Sequence, residues 1–431
     1  MTLLDIYRGV TVAGGPLIRA WLRCRRAQGK EDIRRFAERF GQASMPRPAG
    51  RLIWLHGASV GEGLSMLPLI VRLRAMRPDA TILVTTGTVT SARLMAERLP
   101  AGVIHQFVPV DRPDWVGRFL DHWRPDLAIW FESEFWPNLI SAVTARRIPV
   151  ALLNGRVSDR SWRRWQRAPA AIAELLAAFS LVAGQTAEDA ERLRRLGAAS
   201  ATNLGNLKFA ADPLPAADGE LANLTLTFAD RPRWLAASTH AGEEDIAAQV
   251  HTRLAPRFPG LLTLIVPRHT ERGDAIVRML KSHGLTVAQR SHSTMPDSQD
   301  QVYVADTMGE MGLFYRLAGI VFIGGSLVPH GGQNPLEPAR LDNAILFGPG
   351  MANFREMAER MTASGSAEVV ADAESLAVAV ARLLADPEER AQRAAAARRF
   401  AQGEAQVLDR VLAALAPLLD RIPPEANDAR A

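Results

Sequence analysis

The sequence predicts two doubly wound, Rossmann-like α/β units facing a cleft, each built on a parallel sheet covered by helices, and three observations carry that prediction. From residue 51 onward, short apolar or β-branched runs alternate with helix-length amphipathic stretches, and the runs end in Gly, Ser, Thr, Asp or Asn. Strand, helix, strand repeated in this way makes a parallel sheet with both faces buried. The rhythm stops over residues 210–233, where Pro213, Pro215, Gly219 and Pro232 fall among acidic residues, and then restarts. A chain of 431 residues, 48% hydrophobic and 23% charged, is too long for one small domain and apolar enough to bury two ordinary cores.

Residues 1–40 form an N-terminal segment of their own. Residues 10–22 are mostly apolar, but Gly14, Gly15 and Pro16 interrupt them and Arg19 follows. The run therefore falls short of the roughly 20 apolar residues of a spanning helix, and it lacks the apolar core and cleavage site of a secretory signal. Arg19, Arg23, Arg25, Arg26, Lys30, Arg34, Arg35 and Arg39 come next, with Trp21 and Leu22 among them. A basic segment beside an apolar one suits an anionic membrane surface, at roughly 1 kcal/mol per cation held there; a solvated helix face is the plain alternative.

The first α/β unit, residues 41–210, has strands expected at 51–56, 81–86, 103–110, 127–132, 150–154, 181–183 and 201–204. Its clearest helix covers 64–76, where Leu67, Ile70, Val71 and Arg74 recur at spacings of three and four. The second unit, residues 211–404, has strands expected at 234–238, 261–266, 301–304, 320–323, 344–347 and 368–371. After about residue 387 the chain is Ala- and Arg-rich and helical, and residues 405–431 form a closing helix and tail expected to pack back on the first unit. No sequence repeat links the halves.

Composition narrows the function. Disorder, collagen and a polytopic membrane protein are excluded. Lys plus Arg number 51 against 46 Asp plus Glu, a mild excess of +5 that does not call for a nucleic-acid partner. A single cysteine, Cys24, forbids an internal disulfide and a thiolate metal site, which fits a reducing compartment such as the cytoplasm.

Ligands of open α/β sheets bind beyond the C-terminal ends of the strands, and five motifs fall there. The first runs from His56 to Gly63. Its glycines permit close backbone approach, Ser59 and Gly61 stand at a helix start, and Glu62 is a candidate general base; Ser59 and Glu62 also have the spacing of a capping box. The second runs from Phe131 to Asn138, with Glu132 and Glu134 bounded by aromatics. Two such carboxylates are unfavourable to bury without partners, so one is expected at the cleft, unless both merely decorate a helix start opened by Pro137.

The third, Asn154 to Trp165, is dense in guanidinium and indole groups, among them Arg156 and Arg163, which suit phosphates and a lipid or sugar face. Solvated surface is the alternative. The fourth, Val266 to Arg272, brings Arg268 and His269 to a strand end where a phosphate or carboxylate could meet them. The fifth, Gly324 to Pro338, has two glycine pairs, and Pro335 opens a helix. Such a loop offers N–H groups to a phosphate, and Glu337 one turn in can accept from ribose hydroxyls, although Asn334 and Glu337 again have capping spacing. The chain has neither the phosphate loop ending in Gly-Lys-Ser/Thr, nor an early G-x-G-x-x-G, nor a D-x-D triplet that would hold a divalent metal.

Taken together and in order, these motifs resemble the Kdo transferases, which add 3-deoxy-D-manno-octulosonic acid (Kdo) to the lipid A precursor of Gram-negative bacteria. The resemblance covers nearly the whole chain and rests on 56–62, 132–138, Asn206-Leu207-Lys208-Phe209, 237–244, Pro267-Arg268-His269, Asp306-Thr307-Met308-Gly309-Glu310 and 324–339. Gly57, Phe135 and Gln333 stand where the family usually has Ala, Leu and often His, and the N-terminal apolar segment is weaker than the family's usual anchor.

The resemblance implies a glycosyltransferase fold of the B type, with acceptor on the first half and CMP-Kdo on the second. It implies Glu62 as general base and Glu132 or Glu134 as a supporting carboxylate. Donor contacts would come from Lys208, Arg268, His269, Met308, Gly309, Glu310, Gly325, Asn334 and Glu337, and acceptor contacts from Ser59, Gly61, Arg156 and Arg163. It further implies inverting transfer to lipid IVA without a metal or cofactor, at an anionic membrane surface on the cytoplasmic face of the bacterial inner membrane. The competing expectations are a nucleotide-sugar epimerase or UDP-sugar transferase of the same fold, and a non-catalytic membrane-surface binding protein.

Overall fold

The computed structural model describes residues 2–132, 134–210, 213–292 and 295–422; Ser133 of the second motif, two residues of the expected domain boundary and tail residues 423–431 lie outside them. The chain divides into two compact units, one of residues 1–211 with 404–431 and one of residues 212–403.

In the first unit the strands are β1 (Arg51–His56), β2 (Ala80–Thr86), β3 (Ile104–Phe107), β4 (Leu127–Phe131), β5 (Val150–Gly155), β6 (Leu181–Gly184) and β7 (Thr202–Asn203). Its helices are α1 (Leu3–Ala13), α2 (Gly15–Ala27), α3 (Val60–Met76), α4 (Val89–Arg98), α5 (Pro113–Trp123), α6 (Pro137–Ala145), α7 (Asp159–Trp165), α8 (Pro169–Ala177) and α9 (Ala187–Arg195). The strands lie parallel in the order β3-β2-β1-β4-β5-β6-β7. The winding therefore reverses between β1 and β4, which is where such sheets open a crevice for ligands.

The second unit repeats the plan with β8 (Arg233–Thr239), β9 (Leu262–Pro267), β10 (Val287–Gln289), β11 (Val302–Val304), β12 (Ile320–Ile323), β13 (Ala344–Phe347) and β14 (Glu368–Val369). Its helices are α10 (Asp218–Phe228), α11 (Glu243–Leu254), α12 (Gly273–Ser282), α13 (Met311–Ala318), α14 (Leu336–Ala339), α15 (Arg355–Ala363), α16 (Ala373–Ala385) and α17 (Pro387–Ala405). The parallel order is β10-β11-β9-β8-β12-β13-β14, with the reversal between β8 and β12. The last helix, α18 (Val407–Leu419), belongs to the first unit, where Val407, Val411 and Leu415 join the core formed by Ile53, Leu69 and Ile129.

Burial on both sheet faces explains why the strands are unbroken apolar runs: all five residues of β4 are buried, as are all four of β12. Two elements depart from expectation. Strand β10 has only three residues at the sheet edge and no apolar run to mark it. Helix α10 forms inside the stretch read as a boundary, because Leu224 and Phe228, four residues apart, bury one face completely.

The same buried device occurs in both units. Trp54 Nε1 donates to Thr85 Oγ1 at 2.8 Å, and His56 Nδ1 lies 2.9 Å from that hydroxyl; Trp234, Thr263 and His251 repeat this at 3.0 and 2.9 Å. Nε2 of both histidines is buried without a partner, and burial lowers His56 to about 3 and His251 to about 4. An imidazole with a depressed folded pKa favours folding above its unfolded value of about 6.5, and that contribution is lost as pH falls toward the folded value. His251→Gln is therefore expected to lose about 2 kcal/mol less stability than the parent between pH 7 and pH 5, measured by urea unfolding at each pH. Equal losses would refute it.

Candidate active site

The first cluster lies where the winding of the first sheet reverses. Strand β1 ends at His56, and the chain enters α3 with Ser59 as N-cap, extended at φ −105°. Glu62 sits one turn in and is only 5% exposed. Its carboxylate turns back on the helix start. Oε2 accepts from the Ala58 N–H at 2.6 Å, Oε1 accepts from Ser59 Oγ at 2.8 Å, and the Glu62 N–H reaches Ser59 Oγ at 3.3 Å. The capping alternative thus describes the local geometry.

That bonding leaves capacity, since an ionised carboxylate accepts about four hydrogen bonds and Glu62 receives two from the chain. Its pKa is raised, first by burial and further by the charges of Glu132 and Glu134, against the lowering pull of Ser59 and Ala58. Burial thus makes Glu62 more basic than an exposed carboxylate.

Glu132 follows β4 in the left-handed region at φ 57°, an uncommon conformation for a residue other than glycine that its surroundings must hold. Two contacts hold it: its N–H donates to Leu153 O at 3.0 Å, and Oε1 takes Lys208 Nζ at 2.6 Å. Lys208 is carried on a short 3₁₀ turn, Leu207–Ala210, which Asn154 ties to the end of β5 through Leu207 N–H to Oδ1 at 2.9 Å. Lys208, expected among the donor contacts, is therefore committed to a carboxylate in the first unit.

Glu134 accepts from Trp136 Nε1 at 3.2 Å, and its carbonyl takes Trp130 Nε1 at 2.9 Å. The His56 ring packs edge-on against Trp130 and Trp136, at 4.6 and 5.7 Å between centroids. Arg156 follows β5 and Arg163 lies on α7; both are exposed, and the Arg156 charge acts on Asp189.

The second cluster lies at the reversal of the second sheet, where the glycine loop is organised by a carboxylate. Glu243, 1% exposed, accepts four backbone N–H groups: His240 at 2.9 Å and Gly325 at 2.7 Å on Oε2, Ser326 and Leu327 both at 3.1 Å on Oε1. Three amides expected to face a phosphate are thus held by a carboxylate of the same unit. Gly325 has φ 69° and its missing Cβ makes room for the His240 ring 3.2 Å away, which is what requires glycine there.

Imidazole and guanidinium groups gather around this loop. The His240 and His330 rings stack at 4.0 Å, and His269 lies edge-on at 5.9 Å. Burial lowers the His240 pKa, and the charges of His330, His269, Arg268 and Arg272 push the same way. Arg272 is spent on Glu244 through a two-pronged contact at 2.8 and 3.0 Å, whereas Arg268 is exposed and, among the described residues, has no carboxylate within ion-pair distance. Glu337 is half-buried with a raised pKa, caused chiefly by burial, and receives Asn334 Nδ2 at 3.2 Å. Met308 and Gly309 are exposed, Gly309 at φ 84°. Glu310 is pinned by Arg290 from two nitrogens and by the Thr307 hydroxyl, which hold its pKa down. It offers less to a ligand than its place in the motif suggested.

Among the described residues, no group of three or more His, Cys, Asp or Glu is placed to hold a metal ion, and no helix is long and apolar enough to cross a membrane.

Comparison with known proteins agrees with this architecture. Two solved structures, UDP-GlcNAc 2-epimerase of Neisseria meningitidis and a glycosyltransferase of Rickettsia africae, superpose with TM-scores of 0.59 each. They cover 85% and 86% of this chain and 100% and 99% of their own, at 12% and 11% identity, and so speak for the fold. Residues 34–211 match the family described as 3-deoxy-D-manno-octulosonic-acid transferase (kdotransferase). The 3-deoxy-D-manno-octulosonic acid transferase of Haemophilus influenzae is 35% identical over 96% of this chain and 98% of its own length. A probable mitochondrial enzyme of that name from Arabidopsis thaliana is 37% identical over 89% and 88%. The chain belongs to the 3-deoxy-D-manno-octulosonic acid transferase family, and is a Kdo glycosyltransferase of lipopolysaccharide biosynthesis.

Proposed function

We propose that this chain transfers Kdo from CMP-Kdo to the lipid A precursor lipid IVA, with inversion and without a metal, at the cytoplasmic face of the inner membrane. The observation that carries the reading is Glu62, a buried carboxylate made more basic at the sheet's reversal point. A sugar alcohol is a very weak acid, so its proton must leave as the new carbon–oxygen bond forms. Glu62 takes that proton from a primary hydroxyl of the acceptor while the oxygen attacks the anomeric carbon. The bond from that carbon to the phosphate oxygen breaks on the opposite face, and CMP departs with the electron pair.

Glu132 acts on Glu62 through its charge and is itself steadied by Lys208. Ser59 and Gly61 stand at the same helix start, and Arg156 and Arg163 supply exposed cations for the phosphates of the acceptor. On the donor side Arg268, with His269 and His330, meets the phosphate, and Asn334 and Glu337 meet the ribose; Met308, Gly309, Glu310 and Gly325 border the donor. Cations fixed in place stabilise a leaving phosphate as its charge develops, so turnover is expected to persist in excess EDTA.

The membrane part of the proposal rests on α1 and α2. No residue of α1 is buried, and Leu3, Val10, Leu17 and Trp21 are more than half exposed. Apolar surface of this kind beside a basic helix suits a bilayer interface.

Titration calorimetry separates this reading from its nearest competitor. CMP is expected to bind while UDP and UDP-N-acetylglucosamine do not; a preference for the uridine compounds would reject it in favour of an epimerase or UDP-sugar transferase.

A further inference from the structure

Three imidazoles meet at the reversal of the second sheet. His240 follows β8 directly, His269 stands just beyond β9, and His330 is carried by the glycine loop beyond β12. The His240 and His330 rings face each other at 4.0 Å and 19°, with His240 buried and His330 exposed, while His269 meets His240 edge-on at 5.9 Å. Backbone contacts hold both members of the stack. The His240 N–H donates to Glu243 at 2.9 Å, the Gly332 N–H closes the turn that carries His330 by donating to Gly325 O at 2.7 Å, and Asn353 Nδ2 donates to His330 O at 3.1 Å.

The charged neighbours of the stack are either positive or already engaged. Arg268 and Arg272 come from the chain after β9, and Arg272 is taken by Glu244. Glu243 is occupied by its four amides, Glu271 lies 3.6 Å from His269, and Glu337 on α14 feels the charge of Arg268. Among the described residues neither His240 nor His330 has a carboxylate within ion-pair distance. Burial and the positive neighbours lower the His240 pKa, and even an unperturbed imidazole is about nine-tenths neutral at pH 7.5. Two charged rings at 4.0 Å would repel, so the stack titrates as one coupled unit that carries at most one proton.

Gln333 is suited to both charge states of that unit. Its Nε2 stands 3.2 Å from His240 Nε2, an arrangement in which a neutral imidazole accepts; with the amide turned over, Gln333 Oε1 accepts from a protonated Nε2. We infer that the His240–His330 stack is a proton-linked phosphate site, which takes up one proton from solvent as the phosphate dianion of CMP binds and returns it when CMP leaves. An anion beside an imidazole favours its charged form, and the exposed His330 ring gives the proton a path from water. The stack is thereby charged when the phosphate passes from a diester with one negative charge to a monoester with two. This deepens the donor side of the proposed function and rests on it.

The test is titration calorimetry of CMP into the full chain at pH 7.5 in HEPES and in Tris, whose unlike ionisation enthalpies count the protons exchanged. The parent is expected to take up about half a proton or more per CMP, from an imidazole raised by one to three units by a phosphate, with affinity that falls as pH rises. His240→Gln/His330→Gln is expected to bind CMP more weakly with almost no uptake, and His269→Gln to keep the parent's uptake. Thermal unfolding confirms that each variant is folded. Ring-proton NMR of the parent reads the stack even if the double variant loses CMP: with signals assigned from the ligand-free single variants, CMP is expected to move the titration of His240 and His330 to higher pH.

CMP binding by the parent without proton uptake would overturn the inference and leave the donor reading intact. Uptake that persists in the double variant or disappears in His269→Gln, or ring titrations that CMP does not move, would do the same. Absence of CMP binding by the parent would overturn the donor side of the proposed function itself, and the inference with it.

Discussion

Glu62→Gln is expected to lower kcat by roughly 10²- to 10⁴-fold, the range a well-placed general base supplies, with CMP affinity unchanged. Glutamine is the informative replacement. Its carbonyl oxygen can still accept the Ala58 N–H and its amide can donate to Ser59 Oγ, so both contacts of the helix start survive. What is lost is the ability to take a proton. If Glu62 served only as a cap, this variant would turn over at close to the parent rate, and Glu62→Ala would show about 1 kcal/mol of lost stability and little else. The Gln variant therefore separates the two roles that the geometry superimposes on one side chain.

Glu243→Ala is expected to be the most damaging single change in the second unit. Four amides, on His240, Gly325, Ser326 and Leu327, lose their acceptor at once. Each buried donor left unpaired costs about 1–3 kcal/mol, reduced where water can enter. Several kcal/mol is a large part of the stability of any domain. Glu243→Gln keeps one oxygen, enough for the two amides on one side, and is expected to melt between Ala and the parent. CMP binding should follow the same order, because the loop that Glu243 organises also places the stacked His240 and His330 rings. Equal melting temperatures in all three would show that the amides find other partners and that the loop does not depend on Glu243.

How much of this was legible in the sequence follows from the range of each interaction. The sheets were legible because a strand buried on both faces has no choice but to be apolar, as β4 and β12 are throughout. The capping geometry of Ser59 and Glu62 was legible because it spans three residues. Contacts between distant strand ends were not. Lys208 and Glu132 are 76 residues apart, and Glu243 reaches amides 82 to 84 residues further along. In the sequence Glu243 reads as one of several acids at a helix start, and the glycine loop reads as open to phosphate. Only the parallel arrangement of β8 beside β12 brings the two together. The partner of Glu310 was hidden for the same reason, since Arg290 stands twenty residues earlier.

The most direct measurement is mass spectrometry of the acceptor after incubation of the full chain with tetra-acylated lipid A precursor and a CMP-Kdo generating system, for the parent and for Glu62→Gln. The account predicts acceptor heavier by whole Kdo units with the parent and unmodified acceptor with the variant, while both bind CMP. Acceptor left unmodified by the parent, or modified equally by the variant, would contradict it.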